Sequence, residues 1–210
     1  IITWTPLNET YAEGCLKEHH RFHRDVYELT RSLDPTRPIN DASGYVHVKT
    51  DLWTVHNYEQ NPEQLSAQLK PSSPDNIYRN YPELDAPYEG QPYLVDEFGG
   101  LKWIRPEKTS VYEESWGYGE TPGNKQEFYE RLKKLVQAIL DHDHIAGFCY
   151  TQLTDVEQET NGIYYYDRSE KFDSQIIRDI FQMPRKAPED LLELNGWPQK
   201  SESEKELVSS

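Results

Sequence analysis

The feature of this sequence that most constrains its fold is a regular alternation of β-rich apolar runs with helical apolar stripes, from Ile1 to Phe181. Runs with few polar residues are typical of strands buried on both faces, as in parallel sheets. The alternation therefore predicts an α/β fold in which helices cover a parallel sheet. The runs lie at 1–7, 37–39, 52–58, 93–98 and 145–153.

Stripes of apolar residues at helical spacing separate these runs. The first ends before Asp34 and Pro35, because proline disfavours a helical conformation at the residue before it. Asn124 and Glu127 form a capping box that predicts the start of a later helix. Ile39 to Leu52 spans only 13 positions, too few for a strand, a helix and the return, since a crossover alone needs about ten to twelve residues, so we expect that helix to be rudimentary or missing. The stripes are Phe22, Val26, Leu29 and Leu33; Pro62, Leu65 and Leu69; Phe128, Leu132, Leu135, Val136, Ile139 and Leu140; and Phe172, Ile176, Ile177, Ile180 and Phe181.

Charge and aromatic content exclude several classes of function. The 37 acidic and 22 basic residues give a net charge of -15, which a nucleic acid or an anionic membrane surface would repel. The 15 Tyr, 6 Phe and 5 Trp are too many for a disordered chain. No apolar run reaches the ~20 residues of a membrane span. We expect a soluble protein with no nucleic-acid or membrane partner, in a compartment that the sequence leaves open.

The chain reads as one domain with a polar extension. Apolar periodicity stops near Arg185, and the last residues are mainly Ser, Glu and Lys, so we predict a domain at 1–184 and a polar C-terminal tail at 185–210. The first residue is Ile1 and not Met. We therefore expect the chain to be part of a longer protein.

Two carboxylates fall where parallel α/β folds place their active sites. Glu9 follows Asn8 at the end of the first run, and Glu97 ends the fourth run. The carboxyl ends of parallel strands meet at one edge of the sheet, where the connecting loops converge. Two facing carboxyl groups are what glycosidic bond cleavage needs, one as proton donor and one as nucleophile or base.

Three segments carry a specific resemblance: Trp-Thr-Pro-Leu-Asn-Glu at 4–9, Asp-Glu-Phe-Gly-Gly at 96–100, and the run at 147–159. In this order they resemble glycoside hydrolase family 2, which includes β-galactosidases, β-glucuronidases and β-mannosidases. The resemblance spans about residues 1–181. It implies a partial (β/α)8 TIM barrel, strands 4 to 8 with their helices, and a retaining mechanism with Glu9 as general acid/base and Glu97 as nucleophile.

The resemblance also implies partners and a set of residues that bind a carbohydrate substrate. The N-terminal half-barrel and the β-sandwich domains of such enzymes would belong to a longer chain, and we expect the isolated chain to be weak or inactive. Asn8 resembles the residue that holds the sugar 2-hydroxyl. Tyr58, which follows His56 and Asn57, resembles the tyrosine that hydrogen-bonds the nucleophile.

Aromatic residues are candidates for a surface on which a sugar ring stacks. We assign this role to Trp116 and Tyr150, with Tyr118 as a further candidate. Trp53 lies inside a strand run, where core packing is favoured. We expect Trp4 to be a core residue as well.

The histidine clusters have a simple interpretation. His19 and His23 are spaced to share a helix face with His20 nearby, and the sequence around them offers no strong carboxylate or thiol partner. We therefore interpret them as solvated helix residues, and we predict no metal and no cofactor. His142 and His144 lie at a helix-to-strand turn, where they complement the helix dipole.

Two departures from the family pattern bear on the sugar. The family usually has Trp where this chain has Tyr150. Glucuronidases carry an Asn-x-Lys motif that grips the substrate carboxylate, whereas Gly162 and Ile163 follow Asn161 here. The sequence therefore favours a neutral sugar, with a β-galactoside as first choice.

Other functions stay open at this stage. A cellulase or mannanase could use the same pair of carboxylates, although the run from Thr151 to Glu159 argues against it. A non-catalytic carbohydrate-binding or assembly module could keep the fold without turnover. An interaction protein that uses its acidic surface is a more distant alternative.

Overall fold

A computed structural model describes residues 1–12, 14–73, 76–104 and 115–185. Apart from Arg185, the predicted tail lies outside the described residues. Within the described residues no helix is long and apolar enough to cross a bilayer. The elements are α1 (Leu16–Leu33), β1 (Trp53–Asn57), α2 (Pro62–Leu69), β2 (Tyr93–Gly99), α3 (Lys125–Leu140), β3 (Ile145–Thr151) and α4 (Ser174–Phe181).

The three strands form a parallel sheet in the order β1-β2-β3. Ahead of β1, the first two predicted strands are not regular strands but pair through isolated parallel bridges, Trp4 with Ile39 and Asn8 with Ser43. The predicted α/β class is confirmed, and the arrangement is compatible with part of a barrel.

The helix boundaries follow from local capping. The Asn124 side chain accepts the backbone N–H of Glu127 at 2.9 Å, as the capping box predicts, whereas the Glu127 carboxylate accepts from Gly123 and not from Asn124. Asn61 caps α2 and Asp173 caps α4 in the same way. The structure has no helix between Ile39 and Leu52, as expected from their spacing.

The main core lies between the sheet and helices α2, α3 and α4. Trp53 is buried there, as predicted, whereas Trp4 is only half-buried and its indole N–H donates to Asp34. The fully buried core side chains include Val95, Phe98, Leu65, Leu69, Phe128, Leu132, Leu135 and Ile139. The C-terminal part of the domain is thus a conventional layered α/β core.

Helix α1 does not bury the face that the sequence predicts. Phe22, Leu29 and Leu33 are exposed, and the buried residues are His23 and Tyr27. The apolar stripe correctly predicts a helix here, but it does not predict which face of the helix is buried, because polar contacts determine which face lies inward.

The contacts of His23 explain this orientation. Its ring nitrogens lie 2.7 Å from Thr10 Oγ1 and 3.3 Å from Asp41 Oδ2, and the other Asp41 oxygen lies 2.7 Å from His47. Although burial opposes it, hydrogen bonds from both histidines hold the pKa of Asp41 well below its usual range. The interpretation of His23 as a solvated helix residue is therefore wrong.

A buried lysine holds the loop after β3 in place through hydrogen bonds. The Lys171 ammonium group donates to the Asp155 carboxylate and to the carbonyl oxygens of Trp103 and Thr160. The same carboxylate accepts the backbone N–H of Gly162. All the hydrogen-bonding capacity of the ammonium group is used, which is the condition for a tolerable buried charge.

We predict that Lys171→Ala lowers the free energy of unfolding by about 3–5 kcal/mol, because it leaves the Asp155 carboxylate buried without its counter-charge. Urea unfolding followed by circular dichroism measures the change. Lys134→Ala removes an exposed lysine from α3 and is the control, with little expected effect. Equal losses in the two variants would contradict a special role for the buried pair.

Candidate active site

The predicted carboxylates meet at the C-terminal edge of the parallel segments. Glu9 follows the bridged segment that contains Asn8, and Glu97 lies near the end of β2. His56 of β1 is the register partner of Glu97, next to a register irregularity after Val55. The parallel arrangement therefore brings together side chains that are far apart in the sequence.

The imidazole of His56 lies between the two carboxylates. Its Nδ1 is 2.7 Å from Glu9 Oε1 and 3.2 Å from Glu97 Oε2. One oxygen of each carboxylate and a ring nitrogen of His56 all lie within 4.8 Å of one another. These are also donor types that hold divalent cations, and the same ring nitrogen of His56 contacts one oxygen of each carboxylate.

The other edge of His56 is held equally closely. Nε2 lies 2.9 Å from Ser43 Oγ, and that hydroxyl donates to Asp96 Oδ2 at 2.8 Å. Gly44 has φ +60°, and a Cβ atom there would lie 2.4 Å from the His56 ring. The His56 side chain is 3% exposed, so its orientation is fixed from both sides.

Glu97 combines burial with a strong hydrogen bond. The Tyr58 hydroxyl donates to Glu97 Oε2 at 2.6 Å and lies 3.0 Å from Thr151 Oγ1. Burial raises the pKa of Glu97, while the hydrogen bond from Tyr58 and the neighbouring His56 oppose that rise. A carboxylate held in this way is desolvated and oriented, which suits a nucleophile.

Glu9 has an unusual backbone for a non-glycine residue. Its φ is +48°, in the left-handed region. Its backbone N–H donates to the Ser43 carbonyl at 3.0 Å, and its side chain contacts His56. Such conformations persist where the surroundings hold them, and they concentrate at functional sites.

The other predicted polar residues differ in how close they lie to this pair. Asn8 is exposed next to Glu9. His56 contacts both carboxylates directly. The Asn57 amide donates to Gln68 of α2 and accepts from the backbone of Glu59. Its hydrogen-bonding groups thus serve local structure, and the structure does not bring them to the carboxylates.

The predicted aromatic residues lie in two different places in the structure. The Tyr118 ring stacks on Tyr58 at 3.6 Å between centroids, and Trp116 lies 5.9 Å from Tyr118 with 46% of its surface exposed. Tyr150 instead packs against Phe98 and Phe181, and its hydroxyl contacts the backbones of Leu101 and Asn161. Tyr150 is thus partly buried against the core, and its role in stacking on a sugar ring stays a prediction.

Sequence reasoning missed Ser43, Asp96 and Thr151. Asp96 and Thr151 are each next to a predicted site residue, and Ser43 is four residues beyond a predicted strand run, but none has a pattern of its own. Asp96 precedes Glu97, so strand alternation would direct it to the opposite face; the irregular register around β2 removes that alternation. Only the tertiary contacts reveal these residues.

No protein-family profile matches this chain, and no curated protein matches it by sequence. Several solved structures, however, are similar to this chain. The chain resembles a family GH2 β-galacturonidase from Eisenbergiella tayi bound to galacturonate, with a TM-score of 0.57 and 17% identity over 88% of this chain and 34% of that one. It also resembles the β-D-glucuronidase of Dictyoglomus thermophilum, with a TM-score of 0.58 and 19% identity over 88% and 32% of the two chains. A Bifidobacterium dentium β-glucuronidase complexed with coumarin-3-O-glucuronide matches with a TM-score of 0.57 and 16% identity over 89% of this chain and 31% of that one.

The chain spans about a third of the length of these structures. The resemblance to glycoside hydrolase family 2 that the sequence motifs indicated is thereby confirmed at the level of fold.

We predict that Glu97→Gln stabilises the chain at neutral pH. The folded pKa of Glu97 is raised by burial, so its contribution to stability is present below its unfolded pKa of about 4.3 and is lost as pH rises through the folded value. The gain in the variant should therefore be absent at low pH and grow above about pH 4. Thermal unfolding from pH 4 to 8 measures it. Glu83→Gln, at an exposed position, is the control; a pH-independent gain for Glu97→Gln would contradict the prediction.

Proposed function

We propose that this chain is the catalytic part of a retaining β-glycosidase that hydrolyses O-glycosidic bonds, with Glu9 as general acid/base and Glu97 as nucleophile. The facing pair of carboxylates supports this proposal most strongly. Their nearest ligand oxygens lie within 4.8 Å, close to the carboxyl separation of about 5–5.5 Å in retaining enzymes and short of the about 6.5–9.5 Å of inverting ones.

The two half-reactions follow from these roles. Glu97 attacks the anomeric carbon, the bond to the leaving oxygen breaks, and that oxygen takes the proton of Glu9. A water molecule then gives a proton to Glu9 and attacks the anomeric carbon, which releases the carboxylate of Glu97. After the second half-reaction, Glu9 is protonated again and Glu97 is a free carboxylate again.

Neighbouring groups would orient this pair. Tyr58 holds one oxygen of Glu97 through a hydrogen bond, which leaves the other oxygen for the sugar. His56 contacts both carboxylates and fixes their separation. Asn8, exposed beside Glu9, would bind the sugar 2-hydroxyl, as the family resemblance implies.

We infer that the two bridged segments and β1 to β3 are strands 4 to 8 of a (β/α)8 barrel in a domain at 1–184. The opening segment and β3 are then open edges, which natural proteins normally cover or pair. Ile1, Ile2 and Leu153 are each more than two-thirds exposed, as expected of surfaces that the remainder of a longer chain covers.

A neutral sugar, with β-galactoside as first choice, fits the charge at the site. Asp96 adds a third carboxylate beside Glu9 and Glu97, and among the described residues no lysine or arginine forms an ion pair with these three. A uronic acid would bring a further negative charge. Since the similar structures are glucuronidases and a galacturonidase, β-uronides are the second choice.

A non-catalytic carbohydrate-binding or assembly module is the alternative. A binding module would keep its affinity for glycosides when the carboxylates are replaced, whereas an enzyme would lose turnover.

We predict that Glu97→Gln abolishes hydrolysis of 4-nitrophenyl β-D-galactoside, and that a 2-deoxy-2-fluoro-β-D-galactosyl fluoride adds one glycosyl group to Glu97 of the wild-type chain. Glu9→Gln should lower turnover of substrates with poor leaving groups by about 10²–10⁴-fold and of activated aryl substrates less. Absorbance assays and peptide mass spectrometry measure these effects, with the matching glucuronides as parallel substrates. Unlabelled Glu97 together with unchanged glycoside binding in both variants would favour the binding module.

A further inference from the structure

Three tyrosine rings form a continuous row that begins at His56. The Tyr45 ring lies 6.0 Å from the His56 ring, the Tyr81 ring 5.2 Å from Tyr45, and the Tyr11 ring 5.0 Å from Tyr81. Exposure increases along the row, because Tyr45 and Tyr81 are half-buried and Tyr11 is 51% exposed. The row therefore leads from the carboxylates to the surface.

The backbone at Tyr45 is adapted to this position. Gly44 and Tyr45 both have positive φ, +60° and +58°. For a bulky residue this conformation is a genuine outlier, and such strain is retained where the surroundings demand it. The two residues turn the chain so that Gly44 contacts the His56 ring while Tyr45 lies beside it.

The row lies on the Glu9 side of the carboxylate pair. Tyr11 is two residues from Glu9 in the same loop, and Tyr45 is two residues from Ser43, whose carbonyl oxygen accepts the backbone N–H of Glu9 at 3.0 Å. In the separate stack of Tyr58 and Tyr118, the Tyr58 hydroxyl donates to Glu97 instead. Each carboxylate thus has its own aromatic neighbours.

The chemistry of the two carboxylates gives the two aromatic groups different ligands. An acid must contact the oxygen of the bond that breaks, so the leaving group lies against Glu9. The sugar that becomes attached to Glu97 lies against the residues of that carboxylate.

We propose that Tyr45, Tyr81 and Tyr11 form the binding surface for the leaving group, and that the chain selects β-glycosides whose leaving group carries a flat ring. This inference rests on the proposed function for the direction of the substrate. The rings are tilted at 54° to 65° to one another, so a ligand ring that lies against the side of the row meets both a face and an edge, which is a favoured aromatic geometry.

Binding of thioglycosides that the enzyme does not hydrolyse tests the proposal without a need for turnover. Phenyl and methyl 1-thio-β-D-galactosides, and the corresponding glucuronides, differ only in the leaving group. We expect the wild-type chain to bind the phenyl compound of the accepted sugar roughly 3- to 10-fold more tightly than the methyl compound, the range that one aromatic contact supplies. Titration calorimetry of the complete chain measures the ratio.

Tyr81→Ala should reduce this ratio to near one and leave the affinity for the methyl compound within about twofold. Tyr81→Leu keeps an apolar side chain of similar bulk and should lose the preference as well, which guards against a general loss of folding. Tyr166→Ala removes a tyrosine that is 66% exposed and outside the row, and should keep the wild-type ratio.

The proposal is overturned if the wild-type chain shows no phenyl preference, if the preference survives both changes at Tyr81, or if no thioglycoside binds. The proposed function is judged separately, because Glu97→Gln should abolish turnover and leave the phenyl-to-methyl ratio intact. A chain with the tyrosine-dependent preference but without turnover would retain the leaving-group surface and lose the hydrolase assignment.

Discussion

The contact on which the site depends is the imidazole of His56 between two carboxylates. Two carboxyl groups at this range repel each other whenever both are ionised, and the ring nitrogen of His56 that contacts both of them holds them in place. Ser43 and Gly44 hold the ring from its other sides. The geometry of the carboxylates is therefore determined by a residue that belongs to neither of their segments.

A second polar network connects this site to helix α1. His23 contacts Asp41 in the second bridged segment and Thr10 next to Glu9. Hydrogen bonds depend on direction, whereas apolar contacts do not. A helix that is docked through His23 therefore fixes not only the distance but also the orientation of the loop after Glu9, where the backbone is strained. This requirement explains why the inward face of α1 is polar.

The sequence predicted what depends on local pattern and on chain position. It gave the four helices, the α/β class, the cap at Asn124 and the convergence of Glu9, Glu97 and Tyr58. It did not predict that α1 buries His23, that Tyr150 packs in the core, or that the Asn57 amide bonds to Gln68. These features depend on contacts between distant residues: the partner of His56 in its shortest contact is 47 positions away. Apolar periodicity carries no information about such partners.

The close approach of Gly44 to His56 has a consequence for how this protein can change over evolutionary time. Even a single methyl group at position 44 would overlap the imidazole. The ring would have to rotate, and the spacing between the carboxylates would be lost although neither had been replaced. The candidate site can therefore be disrupted from a loop residue that contributes no functional group, and a survey of the acidic residues alone would classify such a variant as intact.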